Sequence, residues 1–132
     1  MRLRRPSWLI TSLTLASLTL AAFAAPDPAR GEQLYARCAA CHALSFDRVG
    51  PRHCGLLGRR AGSIAEFDYS PAMKRAGIVW NEKTLNQFLT KPLAMVPGTS
   101  MTYDGISDAT ERQDLIAYLK SANSGAACRS KP

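Results

Sequence analysis

Hydrophobic positions form one unbroken block near the N-terminus and three helical stripes farther along. The block runs from Trp8 to Ala25 without a charge, behind Arg2, Arg4 and Arg5. Ala22-Phe23-Ala24 then gives the small-x-small pattern of an export cleavage site just before Pro26. Residues 1–25 are therefore read as a cleaved export signal. The alternative is a retained membrane anchor, because an uncharged run of this length approaches the minimum for spanning a bilayer. The serines and threonines that interrupt the run favour cleavage.

The three stripes read as helices. Asp27 before Pro28 is a cap with proline at the first helical position, and Gly31, Leu34 and Tyr35 make a small-then-large face running into Cys38. This helix is expected to end near Cys41. Asn81 caps a second helix from Glu82 to about Thr90, with Leu85, Phe88 and Leu89 at helical spacing and Pro92 as its stop. Asp108 with Glu111 three residues on resembles a capping box opening a last helix through Lys120, whose apolar side carries Leu115, Ile116, Tyr118 and Leu119.

Proline and glycine concentrate from Gly50 to Pro71 and from Pro92 to Gly105, which are read as loops. No segment alternates like a strand. The expected fold is all-α, with about three main helices, short helical turns and long loops that need something inside the domain to organise them. Residues 26–132 form that one domain.

Composition narrows the partners. The 132-residue chain carries a formal charge of +7, but removing the leader takes three arginines from its 17 Lys and Arg, leaving 14 against 10 Asp and Glu, a balance of +4. A modest, scattered surplus suits steering toward an acidic protein partner. It does not suit nucleic acid, which calls for clustered basic residues with interleaved aromatics.

The chemistry sits in Cys38-Ala39-Ala40-Cys41-His42, the spacing of c-type haem attachment. Two intervening residues put both thiols over one edge of a porphyrin, where they add across its vinyl groups. The imidazole one residue on is directed under the centre. A local disulfide, half a zinc site or a thioredoxin-like motif are the alternatives; the last two want a second ligand pair or flanking strands that the sequence lacks. Cys54 and Cys128 are left over, and in an oxidising compartment they are expected to form a disulfide that stabilises the domain by about 3 to 5 kcal/mol. His53 reads as a surface or loop histidine.

From Gly31 to Lys120 the chain resembles the class I cytochrome c family of the mitochondrial and cytochrome c2 type. The resemblance is carried by Gly31 and Tyr35, Val49-Gly50-Pro51, Gly55 to Gly62, Phe67-Asp68-Tyr69-Ser70, Gly77-Ile78-Val79-Trp80, Pro97-Gly98-Thr99-Ser100-Met101 and Leu115 to Lys120. It implies one covalent haem c, with His42 and Met101 as its iron ligands. Taken without the Pro-Gly-Thr-x frame, Met73 or Met95 would serve as well as Met101. The resemblance also implies that the Pro51 carbonyl accepts the proton on the far nitrogen of His42. Tyr69, Trp80, Arg59 and Thr99 would surround the propionates, and Gly31 and Tyr35 would cross Leu115 and Tyr118.

The function implied is one-electron transfer in the periplasm by a monomer that meets a protein donor and acceptor near the exposed haem edge. Neither a small-molecule substrate nor nucleic acid is expected, and contact with a membrane would come only through partners or an uncleaved signal. No nucleophile, acid–base pair or phosphate loop suggests an enzyme. Two alternatives stay open: a haem subunit dedicated to a periplasmic dehydrogenase, and a haem protein whose methionine detaches to admit peroxide or a gas.

The chain also departs from its relatives. Phe88 and Met73 stand where many carry tyrosine and asparagine, which leaves Thr99 alone of the groups that hold a buried water, so a drier site is expected. Leu93 to Val96 replace a lysine cluster used for docking. Those four residues either form an apolar docking patch or pack inward.

Overall fold

The computed structural model describes residues 24–129. The reading of a cleaved signal rests on residues that lie almost wholly outside this range. Among the described residues no helix is long and apolar enough to cross a membrane.

The architecture is all-α: α1 (Pro28–Tyr35), α2 (Pro71–Arg75), α3 (Glu82–Thr90), α4 (Pro92–Met95), α5 (Ala109–Ser124) and α6 (Ala126–Arg129). Strand-like pairing among the described residues is confined to an antiparallel bridge between Arg60 and Val79. Asp27 caps α1 by accepting from the Ala29 N–H (2.9 Å). Asn81 and Thr84 form a reciprocal capping box at the start of α3. Asp108 caps α5 from the Glu111 N–H (2.8 Å), but the Glu111 carboxylate turns away to Arg37 (2.9 Å) instead of closing the box.

Helix boundaries depart from expectation where caps or tertiary bonds intervene. The first α-helix stops at Tyr35 and continues to Cys41 as tighter turns, with Arg37 N–H donating to the Leu34 carbonyl and Cys38 N–H to that of Tyr35. Pro92 ends α3 and also opens α4, since proline is suited to a first helical position. The last helix runs four residues past Lys120, to Ser124. Asn123 on that added turn accepts from the N–H groups of Gly55 (2.6 Å) and Leu56 (3.1 Å) and donates to the His53 carbonyl (3.2 Å).

α1 crosses α5 at Gly31. A Cβ there would overlap the Asp114 carbonyl and lie 2.7 Å from the Tyr118 Cβ, so only glycine allows the helices this close. Tyr35, one turn on, packs its ring 5.3 Å from that of Tyr118. The core is apolar and includes Leu56, Ile64, Leu85, Leu89, Leu115, Ile116 and Leu119. Buried Arg112 ties α5 to the preceding loop by donating to the carbonyls of Ile106 (2.7 Å) and Ser107 (2.8 Å) and to the Asn86 side chain (2.9 Å). Cys54 and Cys128 are joined as a disulfide with Cα atoms 5.2 Å apart. Closing a loop of that span stabilises the fold by about 4 kcal/mol in the chain-entropy account.

Segment 93–96 divides between the two expectations: Leu93 is 57% exposed and Ala94 also faces outward, while Val96 is buried.

A pH prediction follows from Asp114. It is buried, accepts from the Asp27 N–H (2.6 Å) and Arg30 Nε (2.9 Å), and the Arg30 hydrogen bond first, then that of Asp27, holds its carboxyl below the usual range. A lowered native pKa means the folded chain binds fewer protons than the unfolded one, so the stabilisation is full above the unfolded value and is lost as the pH falls through the native one. Asp114→Asn is expected to lower stability by about 1.5–3 kcal/mol at pH 7. Urea titrations of both proteins should show that gap narrowing once the pH falls below about 3.9, where free aspartate titrates.

Candidate functional site

The turns after α1 present the two thiols and the imidazole together. His42 N–H donates to the Cys38 carbonyl (2.9 Å) and Cys41 N–H to the same oxygen (3.1 Å), so all three residues share one turn of backbone. Both cysteines are unbridged; Cys38 is partly buried and Cys41 exposed. Burial pushes the Cys38 thiol up. Among the described residues no three or more His, Cys, Asp and Glu side chains gather as a metal-binding group, so the zinc alternative has no ligand set.

This turn forms one rim of a cavity of about 390 Å³, lined mainly by apolar side chains from α1, α3, α5 and the intervening loops. The nine site residues expected from sequence, Cys38, Cys41, His42, Pro51, Arg59, Tyr69, Trp80, Thr99 and Met101, all line it. Met73 and Phe88 line it as well, and both present apolar surface to it.

The His42 ring is set by its surroundings. Its Nδ1 lies 2.8 Å from the Pro51 carbonyl oxygen. A carbonyl can only accept, so Nδ1 donates and the lone pair is left on Nε2. Burial holds the imidazole below its ordinary pKa, against the Pro51 bond. Gly50 comes flat against the ring: a Cβ built there would lie 2.6 Å from Nε2 and 2.7 Å from Nδ1 and closer still to Cε1, distances that place it above the ring face rather than at the edge. The Gly50 N–H donates to the Cys41 carbonyl (2.7 Å), which fixes that approach.

Met101 is delivered by the segment after α4. A turn from Val96 to Thr99, with Pro97 and Gly98 at its corners, closes through the Thr99 N–H and the Val96 carbonyl (3.0 Å). The Thr99 hydroxyl then accepts from the Met101 N–H (3.2 Å). That bond occupies the hydroxyl locally, an orientation the sequence did not reveal.

Arg59 and Trp80 meet through local pairing. Trp80 N–H donates to the Arg59 carbonyl (2.9 Å), and Gly58 N–H to that of Trp80 (2.8 Å). The indole packs 5.0 Å from the Phe88 ring. The Arg59 guanidinium donates to the carbonyls of Arg52 (2.8 Å) and Cys54 (3.0 Å), so it braces the loop beyond Pro51 as well as lining the cavity. Burial pushes the Tyr69 hydroxyl up, which keeps it a donor, although the Arg59 charge acts the other way.

Of the two readings of His53, the loop one stands and the surface one is corrected: its partly buried side chain lies in the cavity wall with its ring stacked on that of His42, centroids 4.3 Å apart and planes 20° apart, and its Nδ1 shares a hydrogen bond with the Tyr35 hydroxyl (3.0 Å). Burial first, then the His42 and Arg59 charges, bring its pKa down to about 3, so it is uncharged at neutral pH. Burial likewise pushes the Tyr35 hydroxyl up to about 12. The available sequence signal was its place two residues after Pro51, on the loop that supports His42.

The donor set, two free thiols at the rim, an imidazole with Nε2 unprotonated and a thioether in an apolar cavity, fits a covalently attached haem. The family profile described as Cytochrome c matches residues 28–123. The chain is 39% identical over 118 residues to "Cytochrome c2" of Blastochloris viridis, covering 87% of this chain and 93% of that protein. It is 43% identical over 101 residues to "Cytochrome c2" of Rhodomicrobium vannielii, covering 74% and 81%. Among solved structures it resembles cytochrome cH from Methylobacterium extorquens with a TM-score of 0.70 at 42% identity, over 72% of this chain and 98% of that one.

Gly50→Ala is expected to force the Gly50–Pro51 segment off His42 and to cost about 1–3 kcal/mol, as overpacking does. Denaturant unfolding of the purified variant against the native protein measures it.

Proposed function

This chain belongs to the cytochrome c family and is a haem c electron carrier, and within that activity we propose that Cys38 and Cys41 attach the haem and that His42 and Met101 hold its iron. Its cytochrome c2 relatives are electron-transfer proteins, not enzymes. Bound haem supplies an iron that passes between ferric and ferrous states, taking up and giving up one electron.

The observation that carries the ligand assignment is the tautomer of His42: with Nδ1 donating to Pro51, Nε2 is the nitrogen available to a metal. Met101 complements it with a soft, neutral sulfur, which would hold the iron from the other side and favour its ferrous state. Arg59, Tyr69, Trp80 and Thr99 supply a positive charge and donors for the propionates, which need both in an enclosed site. Phe88 and Met73 make the methionine side of the cavity drier than in relatives with polar groups there.

The site of action we propose is the periplasm. Its support is the export pattern of residues 1–25 together with similarity to bacterial cytochromes c2. A chain cleaved before Pro26, folding as one domain, should have an intact mass equal to residues 26–132 plus one haem, less the two hydrogen atoms lost in forming the Cys54–Cys128 bridge. Peptide mapping should find the haem on the fragment containing Cys38 to His42. A haem-free chain, or haem on another segment, contradicts the assignment.

Redox partners are proteins, and the monomer is proposed to dock them at the rim of the cavity. Val49, which lines the cavity and is 81% exposed, supports an apolar contact at that rim, and Leu93 on α4 is a second exposed apolar side chain, at 57%. Electron transfer with the natural partner should then change by about threefold or less as the Debye length is shortened from ~30 to ~8 Å with salt. A steep decline over that range contradicts apolar docking.

A further inference from the structure

The ring of His42 has more support than its bond to Pro51. The hydrogen bond at Nδ1 holds one edge of the imidazole, and contacts on the ring itself add to it. Gly50 closes one face at a separation that admits no other group there. The near-parallel His53 ring is stacked on the same imidazole, with centroids 4.3 Å apart.

His53 is itself unusually well held. Its N–H donates to the Ala43 carbonyl (3.0 Å) and its carbonyl accepts from Asn123 on α5 (3.2 Å). Cys54, the next residue, donates its N–H to the Leu44 carbonyl (2.7 Å) and is bridged to Cys128 beyond α5. The side chain is oriented by the Tyr35 hydroxyl (3.0 Å), and the Tyr35 ring is wedged between His53 (5.6 Å) and Tyr118 (5.3 Å). An aliphatic side chain could fill the same space. It would present neither a flat face to His42 nor an atom for Tyr35 to orient.

We propose that His53 is a positioning residue for His42, a stacked imidazole, itself oriented by Tyr35, that sets the rotation of the ligand ring about its bond to the iron. The proposal rests on His42 being that ligand. The rotation of an axial imidazole decides how its π orbital meets the iron d orbitals, and hence the unpaired-spin distribution over the porphyrin in the ferric state. Contact with a second ring also changes the donor strength of the ligand, as groups just outside a metal's ligand shell commonly do.

The test compares ferric holoprotein of the native chain, His53→Leu and Tyr35→Phe by proton NMR of the shifted haem methyl resonances and by potentiometry. His53→Leu should alter the order or spread of the methyl resonances and shift the reduction potential. Tyr35→Phe, which keeps the stack but releases its orientation, should produce a smaller change in the same sense. If both variants unfold more easily while methyl pattern and potential stay native, His53 only fills space and the proposal is overturned. Should His53→Leu fail to mature, Tyr35→Phe decides alone, since it leaves the apolar packing intact. A native ferric protein without the signature of an axial imidazole refutes the functional reading itself, and that outcome is distinct from unchanged variants.

Discussion

The donation from His42 Nδ1 to the Pro51 carbonyl is the contact on which the site depends. It decides which ring nitrogen keeps its lone pair. It also ties the cysteine-bearing turn to the loop beyond it, and Arg59 and Asn123 brace that loop from two other directions. A histidine one residue past a pair of cysteines is common chemistry in principle; held this way, it keeps the lone pair of Nε2 free.

Around that contact the fold is a shell. Leu56, Leu85, Phe88, Leu89, Leu115 and Leu119 are buried, yet they also line the cavity, so part of the apolar core faces a guest and not another side chain. The stabilisation of this fold is therefore shared between direct contacts, such as the Gly31 crossing and the Cys54–Cys128 bridge, and the group that fills the centre. Long loops between α1 and α3 make sense on the same terms, because their apolar residues, Leu56 and Tyr69 among them, are ordered against the cavity.

Much of this was legible in the amino-acid order. The second expected helix, from Glu82 to Thr90, matched because Asn81 caps one end and a proline stands just past the other. Local signals failed where tertiary bonds set the outcome. α2 is five residues long and begins only at Pro71, where the stretch rich in proline and glycine ends, so its stripe was too short to register. The last helix outran its apolar face because Asn123 spends its side chain on the turn at residues 53–56. The contacts of loop residue His53 went unread for a related reason: a polar residue in a loop looks exposed until the fold supplies a stacking ring and a buried hydroxyl. The attachment spacing, by contrast, is encoded within five consecutive residues and needs no tertiary information.

The central claim is that one iron is held between the imidazole of His42 and the thioether of Met101. Spectroelectrochemistry of the purified holoprotein tests it most directly, because it reads ligation and potential together. The account predicts a low-spin ferric spectrum with the weak far-red band of sulfur–iron ligation at neutral pH, abolished in Met101→Ala, and a raised, reversible one-electron potential. A high-spin ferric spectrum, or a band that survives the loss of Met101, would contradict it.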